Sequence, residues 1–396
     1  PPRSTLFPYT TLFRSRLRVV VGAADRREEV GLMDLIKTCA DYCRDHPGRV
    51  VFPDSLDERA IAAAARLVAE GLAHPVLLGN PFAIRGLCRD KQLSLRQVPV
   101  IDPQRSLLRE HYADLLLPKV AERGMKREEV LAHLDDPLWY GAMMVAAGDA
   151  DYCVAGNLSS TSNVLRAALN AIGLAEGNKT VSSIFFMIAP GGGRAFGFAD
   201  CGVVPDPTPE QLADIAISTA ESYRKVTGDV PAVGLLSFSS RGSAKHPAVE
   251  KVRSAVALVR QRCPDLMIDG ELQFDAAYVP SVAVKKVPDS PLVGAANVFV
   301  FPSLEAGNIG YKIAERMGGY TAVGPMIQGL RLPMHDLSRG CSVEDMIDVT
   351  LVANKMAATK GVSMRNELKK AVSGLIGVNP YAVDKQYAAK CAVPSF

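Results

Sequence analysis

The sequence predicts an α/β protein of two three-layer α/β/α domains with mostly parallel sheets. Three observations predict it. Short β-forming apolar stretches alternate with segments of helical period, the pattern of a parallel sheet covered by helices on both faces. Polar, glycine-containing loops recur at the carboxyl ends of those strands, where open α/β sheets bind ligands. A glycine-rich hairpin interrupts the alternation midway, and 396 residues are comfortable for two cores.

In chain order, Leu35, Ile36, Cys39, Tyr42 and Cys43 mark a first amphipathic helix. Arg49–Pro53 reads as a buried strand, and Asp54–Asp57 as an N-cap cluster before a helix Glu58–Glu70. His74–Gly79 is the next strand. Asp136 opens a helix that reaches Ala147, and Asp151–Ala155 is a strand. Its loop, Gly156–Ser162, leads into a helix Asn163–Ile172. Free N–H groups at such a helix start suit an anion, and ordinary capping by Ser and Thr explains the loop equally well. Val181–Ile188 and Ala195–Val204 are strands joined by the turn Pro190–Arg194, so a second domain starts nearby. The triple glycine there lacks the Gly-Lys-Ser/Thr of a P-loop and reads as a turn.

Thr208-Pro209-Glu210-Gln211 is a capping box opening a helix to Val226. Strands follow at Ala232–Phe238, Leu266–Leu272, Val298–Phe301 and Tyr320–Gln328, with helices ending at Cys263 and spanning Tyr311–Met317. The last long helix is expected over Val343–Thr359.

The ends differ in character. Thr-Leu-Phe recurs within residues 1–15 with no helical or strand period, so residues 1–32 are expected to be a leader foreign to the fold, with Met33 as a start. Residues 361–396 form an appendage containing a short amphipathic stretch, Met364–Ile376. It reads as a docking or encapsulation tail into a microcompartment, an extra packed helix, or another scar.

Charged residues make up 22% of the chain and the net charge is +3, so the balance argues against a nucleic-acid partner. No apolar run reaches the length of a membrane span. Eight scattered cysteines with no Cys-x-x-Cys pair indicate reduced thiols, a cytoplasmic setting and no structural metal.

The densest chemistry lies in Pro333–Asp348. A hydroxyl (Ser338), a guanidinium (Arg339), a thiol (Cys341) and carboxylates (Glu344, Asp345) fall within eight positions. Ser342-Val343-Glu344-Asp345 also has the spacing of a capping box, so Asp345 can close a helix start as well as accept a proton.

Four strand-end loops then make the sequence recognisable. Leu-Ser-Phe-Ser-Ser-Arg-Gly-Ser-Ala-Lys-His-Pro, Gly-Glu-Leu-Gln-Phe-Asp-Ala-Ala, Phe-Pro-Ser-Leu-Glu-Ala-Gly-Asn-Ile-Gly-Tyr-Lys and Asp-Leu-Ser-Arg-Gly-Cys-Ser resemble the phosphotransacetylase (phosphate acetyltransferase) family. The resemblance covers about Leu35 to Lys360. It implies a second domain, 178–324, inserted into a first made of 33–177 and 325–360, with all four loops facing one interdomain cleft. It implies homodimerisation through the inserted domain. The implied reaction is acetyl-CoA plus phosphate to acetyl phosphate plus CoA, with no bound cofactor and CoA as a substrate.

By the same resemblance, Asp345 is the base for the CoA thiol, Arg339 binds phosphate and developing charge, and Ser338 donates a hydrogen bond in the transition state. Since an ordinary Asp, of pKa about 3.9, matches a thiol poorly, burial of Asp345 or thiolate stabilisation by Arg339 is expected. Arg166 matches a family arginine associated with CoA or phosphate. The family's basic segment before Gly124 lacks its arginine here, leaving Lys119 or Arg123 to meet a CoA phosphate. Ser160, Thr161, Asn308, Gly310 and Tyr311 are expected to line the phosphate and acyl pocket. Cys341 is expected to be a bystander, and His335 stands where relatives often carry Asn. The competing readings are a transferase for propionyl or butyryl groups, a metal- and NAD-dependent dehydrogenase using Asp345 and Asp348, and a CoA-binding subunit without turnover.

Overall fold

A computed structural model describes residues 34–357, so the readings made for the leader and for Met364–Ile376 lie outside the described residues. Among the described residues, eleven strands form two sheets. They are β1 (Gly48–Phe52), β2 (Ala73–Leu78), β3 (Val100–Ile101), β4 (Tyr152–Ala155), β5 (Ser182–Ile188), β6 (Ala195–Ala199), β7 (Ala232–Leu236), β8 (Met267–Leu272), β9 (Val298–Val300), β10 (Thr321–Gln328) and β11 (Met334–Asp336). The helices are α1 (Leu35–Asp45), α2 (Glu58–Ala69), α3 (Pro81–Lys91), α4 (Arg109–Val120), α5 (Arg127–Leu134), α6 (Pro137–Ala147), α7 (Thr161–Ala171), α8 (Pro209–Thr227), α9 (Pro247–Arg262), α10 (Phe274–Tyr278), α11 (Pro280–Lys286), α12 (Leu304–Arg316) and α13 (Val343–Ala357).

The first sheet has the order β11-β4-β1-β2-β3 and is parallel throughout. The second, β10-β5-β6-β9-β7-β8, is parallel from β6 to β8 and antiparallel at β10, β5 and β6. Every residue of β4 and β5 is buried, as strands covered on both faces must be. One hydrophobic cluster packs α1, α2 and α13 and continues under α8 and α9, so a single apolar layer runs along one face of both sheets. The opposite faces carry separate clusters, one under α4, α6 and α7 and one under α10 and α11. α13 therefore joins the two halves while its first turn faces the cavity described below.

The local signals act as read. Asp136 caps α6 by accepting from Leu138 N at 2.8 Å. The Thr208 capping box closes in both directions, with Thr208 N to Gln211 Oε1 at 2.9 Å and Gln211 N to Thr208 Oγ1 at 3.3 Å.

Several boundaries shift by a residue or two, and three larger differences from the expectation each have a visible reason. The strand expected over Ala195–Val204 stops at Ala199, because the buried Asp200 carboxylate accepts from Gly202 N, Val203 N and Val204 N and turns the chain. The helix expected at Tyr311 begins at Leu304, with the Ser303 hydroxyl accepting from Ala306 N at 3.4 Å. Asn308 and Gly310 are therefore helical rather than in a loop. Finally, β10 stays paired with β5 as far as Gln328↔Ser182, so the chain rejoins the first sheet after Gln328 and not near Gly324.

His335, on β11, ties the sheets together. Its Nδ1 accepts from Ile327 N of β10 at 3.1 Å, which requires the neutral ring. Burial pushes its pKa down to about 3. A value below the unfolded 6.5 means stability that is full above about pH 6.5 and is lost as pH falls towards 3. Urea midpoints should accordingly drop more steeply between pH 7 and 4 for the wild type than for His335→Asn. Equal slopes would refute this. The neighbouring Asp336, raised to about 6 by burial, acts in the opposite sense, and the comparison with the variant cancels it.

Candidate active site

The carboxyl ends of β4 and β11, the first turn of α13, α12 and the middle of β10 enclose a cavity of about 540 Å³. Ser338, Arg339 and Asp345 line it together with Ser160, Thr161, Asn308 and Tyr311. Seven of the residues singled out in the sequence thus meet in one place, although almost 190 positions separate the first from the last.

The 338–345 segment is a turn feeding a helix. Cys341 N donates to Ser338 O at 2.9 Å, and Gly340 N donates to Ser338 Oγ at 3.3 Å. Because that hydroxyl oxygen is an acceptor here, its proton is available to another oxygen in the cavity. Asp345 makes the full capping box with Ser342: Ser342 N donates to Asp345 Oδ2 at 2.8 Å, and Asp345 N to Ser342 Oγ at 3.1 Å. Capping therefore holds one oxygen of the carboxylate, and the other remains to face the cavity. Asp345 is exposed, so of the two expected aids, burial of the base and thiolate stabilisation by Arg339, burial does not apply. Arg339 is exposed, and its guanidinium enters no ion pair among the described residues.

Two acids behind them are less conventional. Asp348 lines the cavity and is pushed up to about 6, first by burial and then by the Asp345 and Glu344 carboxylates. Asp336 is buried, accepts from Thr161 Oγ1 and has its other oxygen without a hydrogen-bond partner among the described residues. Gly156 makes room for it: a Cβ there would collide with Asp336 Oδ1 and lie 2.6 Å from Leu337 N, and its φ of +101° already disfavours a side chain.

The loop after β4 admits two readings, an anion site and ordinary capping, and its contacts favour the second. Its N–H groups point at a resident carboxylate: Asp54 Oδ2 accepts from Gly156 N at 2.8 Å, Leu158 N at 3.2 Å and Ser159 N at 3.0 Å, while Ser159 Oγ donates to Asp54 Oδ1 at 2.6 Å. The concavity is filled by the chain itself. Ser160 caps α7, accepting from Asn163 N at 3.3 Å, and still lines the cavity.

On the other wall, Asn308 Nδ2 donates to Cys201 O at 3.1 Å, and Lys312 Nζ to Asn308 Oδ1 at 2.9 Å. Tyr311 stacks on Phe185 with centroids 4.2 Å apart. Lys312 adds positive charge to this wall, and Arg316 is paired with Glu315, Nε to Oε2 at 3.3 Å. Gly310 does not reach the cavity; a Cβ there would press on the Phe301 ring at 3.0 Å, so its role is close packing.

Cys341 is buried, and burial pushes its thiol up to about 11 despite the nearby Arg59 guanidinium. A thiol so rarely ionised is a poor nucleophile, which agrees with a bystander.

Arg166, Lys119 and Arg123 lie outside the cavity lining. Lys119 Nζ donates to Ala171 O at 2.6 Å, and Arg123 Nη1 to Asn170 Oδ1 at 2.7 Å, so both fasten α4 and the turn after it to the end of α7. Arg166 is exposed on α7, whose first residue, Thr161, is in the cavity wall. Five residues of helix place it about 7.5 Å along the axis from that wall.

Two of the four recognised loops do not face the cavity. Residues 239–246 and 270–277 bind each other, Glu271 Oε1 accepting from Ser239 Oγ at 2.9 Å and Gly242 N at 2.7 Å. Their strands, β7 and β8, are at the far end of the second sheet, which is why they fall short. Cys201, Gly202 and the β10 residues Thr321–Pro325 take that place. Among the described residues no group of three or more His, Cys, Asp or Glu side chains is arranged to hold a metal ion. Sequence reading missed Asp54, Asp57, Arg59, Asn157 and Asp336. Asp54, Asp57 and Arg59 lay in or beside an acidic run that a helix cap explained, and Asn157 and Asp336 lay inside the singled-out loops with no role assigned to them.

A family model described as "Phosphate acetyl/butaryl transferase" matches residues 32–354. The chain belongs to that family of acyltransferases. It is 43% identical over 324 residues to the phosphate acetyltransferase of Acetivibrio thermocellus, covering 81% of this chain and 97% of the relative. It is 42% identical over 328 residues to that of Bacillus subtilis, covering 82% and 100%. Among solved structures it resembles phosphotransacetylases from Streptococcus pyogenes (38% identity, TM-score 0.78) and Staphylococcus aureus (41%, TM-score 0.76), each over 82% of this chain and 98% of the other.

Proposed function

We propose that the cavity performs reversible acetyl transfer between CoA and inorganic phosphate by direct attack, with no acyl-enzyme. The phosphate acetyltransferase activity itself follows from the family and from relatives above 40% identity over four fifths of the chain. The observation that carries the mechanism is the convergence of Ser338, Arg339 and Asp345 on one cavity wall beside a poorly ionised Cys341.

In the direction of acetyl-CoA synthesis, Asp345 takes the thiol proton of CoA, whose ordinary pKa is about 8.5. The thiolate sulfur attacks the acetyl carbon of acetyl phosphate, and the carbonyl electrons move onto oxygen. The free Ser338 proton bonds that oxyanion, worth on the order of 10²–10³ in rate for one donor. The C–O bond to phosphate then breaks, the carbonyl re-forms, and the Arg339 fork holds the departing phosphate. Lys312 adds to the field that attracts the anion, while Arg166, Lys119 and Arg123 supply basic groups suited to CoA phosphates. CoA is thus a substrate, and no permanently bound cofactor enters the scheme.

Two further readings rest on other features. Ile309 and Ile313 of α12 and Met317 just after it, spaced four apart, are 58%, 53% and 84% exposed. Such a stripe supports a homodimer through the second domain; a monomer by light scattering would remove it. Eight scattered cysteines with no Cys-x-x-Cys pair support a reducing, cytoplasmic setting.

The direct test follows CoA release from acetyl-, propionyl- and butyryl-CoA with phosphate or arsenate. Phosphate-dependent release, fastest with acetyl-CoA, is expected. Release only from butyryl-CoA would move the assignment to the longer acyl groups, and none from any of them would overturn it.

A further inference from the structure

We propose that Arg59, outside the cavity, is a positioning residue that sets both Ser338 and Asp345 through two peptide planes. It lies in the first turn of α2 and makes hydrogen bonds to two segments remote in sequence. Its Nη1 donates to Arg339 O at 3.0 Å and to Cys341 O at 2.6 Å, and its Nη2 donates to Asn157 O at 3.3 Å. One planar fork thereby joins the 338–341 turn to the loop after β4.

The consequence lies on the other side of each peptide. A trans peptide is rigid, so its C=O and the next N–H point in opposite directions. The Arg339 carbonyl is coplanar with Gly340 N–H, and that N–H donates to Ser338 Oγ at 3.3 Å. The Cys341 carbonyl is coplanar with Ser342 N–H, and that N–H donates to Asp345 Oδ2 at 2.8 Å. Arg59 pulls on two carbonyls, and the opposite ends of the same two peptides hold the hydroxyl and the carboxylate assigned above to catalysis. Two reacting groups on one turn are thus referred to a single point.

That point is itself fixed. Asp57 accepts from Arg59 Nε at 3.1 Å and from Nη2 at 2.7 Å, and is 7% exposed. Asn157 Nδ2 supports the same carboxylate at 2.9 Å. Burial acts to raise the Asp57 carboxyl, but these hydrogen bonds hold it below its ordinary value, so it stays an anion beneath the guanidinium. Lysine cannot replace this arrangement, because one ammonium cannot meet a buried carboxylate and three carbonyls in a common plane.

The inference rests on the acyl-transfer reading, and its test separates the two. Arg59→Lys and Arg59→Ala are compared with wild type by steady-state kinetics, and by hydrogen exchange of a peptide spanning 337–346. Misplacement by about 1 Å is worth about 100-fold, so kcat should fall about 30- to 100-fold, with KM for CoA and for acetyl phosphate within about threefold. Exchange at the turn should quicken, and millimolar guanidinium should restore rate to Arg59→Ala while leaving wild type unchanged. If Arg59→Ala does not fold, the Lys variant decides by the same two measurements. Wild-type kcat and wild-type exchange in Arg59→Lys would overturn the inference. An inactive wild type would overturn the acyl-transfer reading alone, because turn exchange still reports on the clamp.

Discussion

Asp345→Asn should lower kcat by about 10²–10⁴ while leaving the melting temperature unchanged. The two halves of that expectation come from one geometry. Asp345 Oδ2 accepts from Ser342 N, and an Asn side-chain carbonyl accepts the same hydrogen bond, so the start of α13 stays capped. What the amide cannot do is take a proton from a thiol. Asp345→Ala removes the proton acceptor and the Ser342 N–H half of the capping box, so it should also lower the melting temperature, while the Ser342 Oγ cap on residue 345 N–H remains. Activity assays beside thermal melts of the two variants separate base from cap. An Asn variant within threefold of wild-type kcat would mean that Asp345 serves the helix alone.

Arg339→Lys should cost about 10²–10³ in kcat/KM for acetyl phosphate, despite keeping the charge. A guanidinium presents a planar fork that matches a phosphate in two places, and an ammonium presents a point. The backbone of the turn should be indifferent to the change, because Arg59 holds residue 339 by its carbonyl and not by its side chain. Binding of free phosphate, followed by its product inhibition of acetyl-CoA synthesis, should weaken in parallel. If the Arg339→Lys variant keeps wild-type kcat/KM at moderate salt, charge alone suffices and the bidentate role is wrong.

Asp345 shows how a residue can be legible for two reasons at once. The spacing from Ser342 announced the cap, and the cap is there at 2.8 and 3.1 Å. Nothing local to it announced the cavity, which needs α12 and β10 from the second sheet to close over the turn. The loops 239–246 and 270–277 show the reverse. Their wording was as specific as that of 338–345, yet strand order carries them to the far edge of the sheet. Sequence reports that a loop ends a strand, but the order of strands is a property of the folded sheet.

Arg59 and Asp54 were illegible for a more basic reason. Both sit in a run that reads as helix capping, and Asp57 does cap α2, accepting from Arg59 N at 2.9 Å. Their other partners, at 157–159 and 339–341, are about 100 and 280 positions away, and no local pattern encodes a contact at that range.

By itself the sequence determined the α/β class, the capped helix starts and the turn that carries Ser338, Arg339 and Asp345. Those follow from hydrophobic period, turn chemistry and capping, all of which act over a few residues. Only the tertiary structure decided which loops share the cavity, that Asp54 fills the loop after β4, and that one arginine outside the cavity holds the reactive turn. Those depend on burial and hydrogen bonding between segments brought together by strand order, which the linear chain does not display.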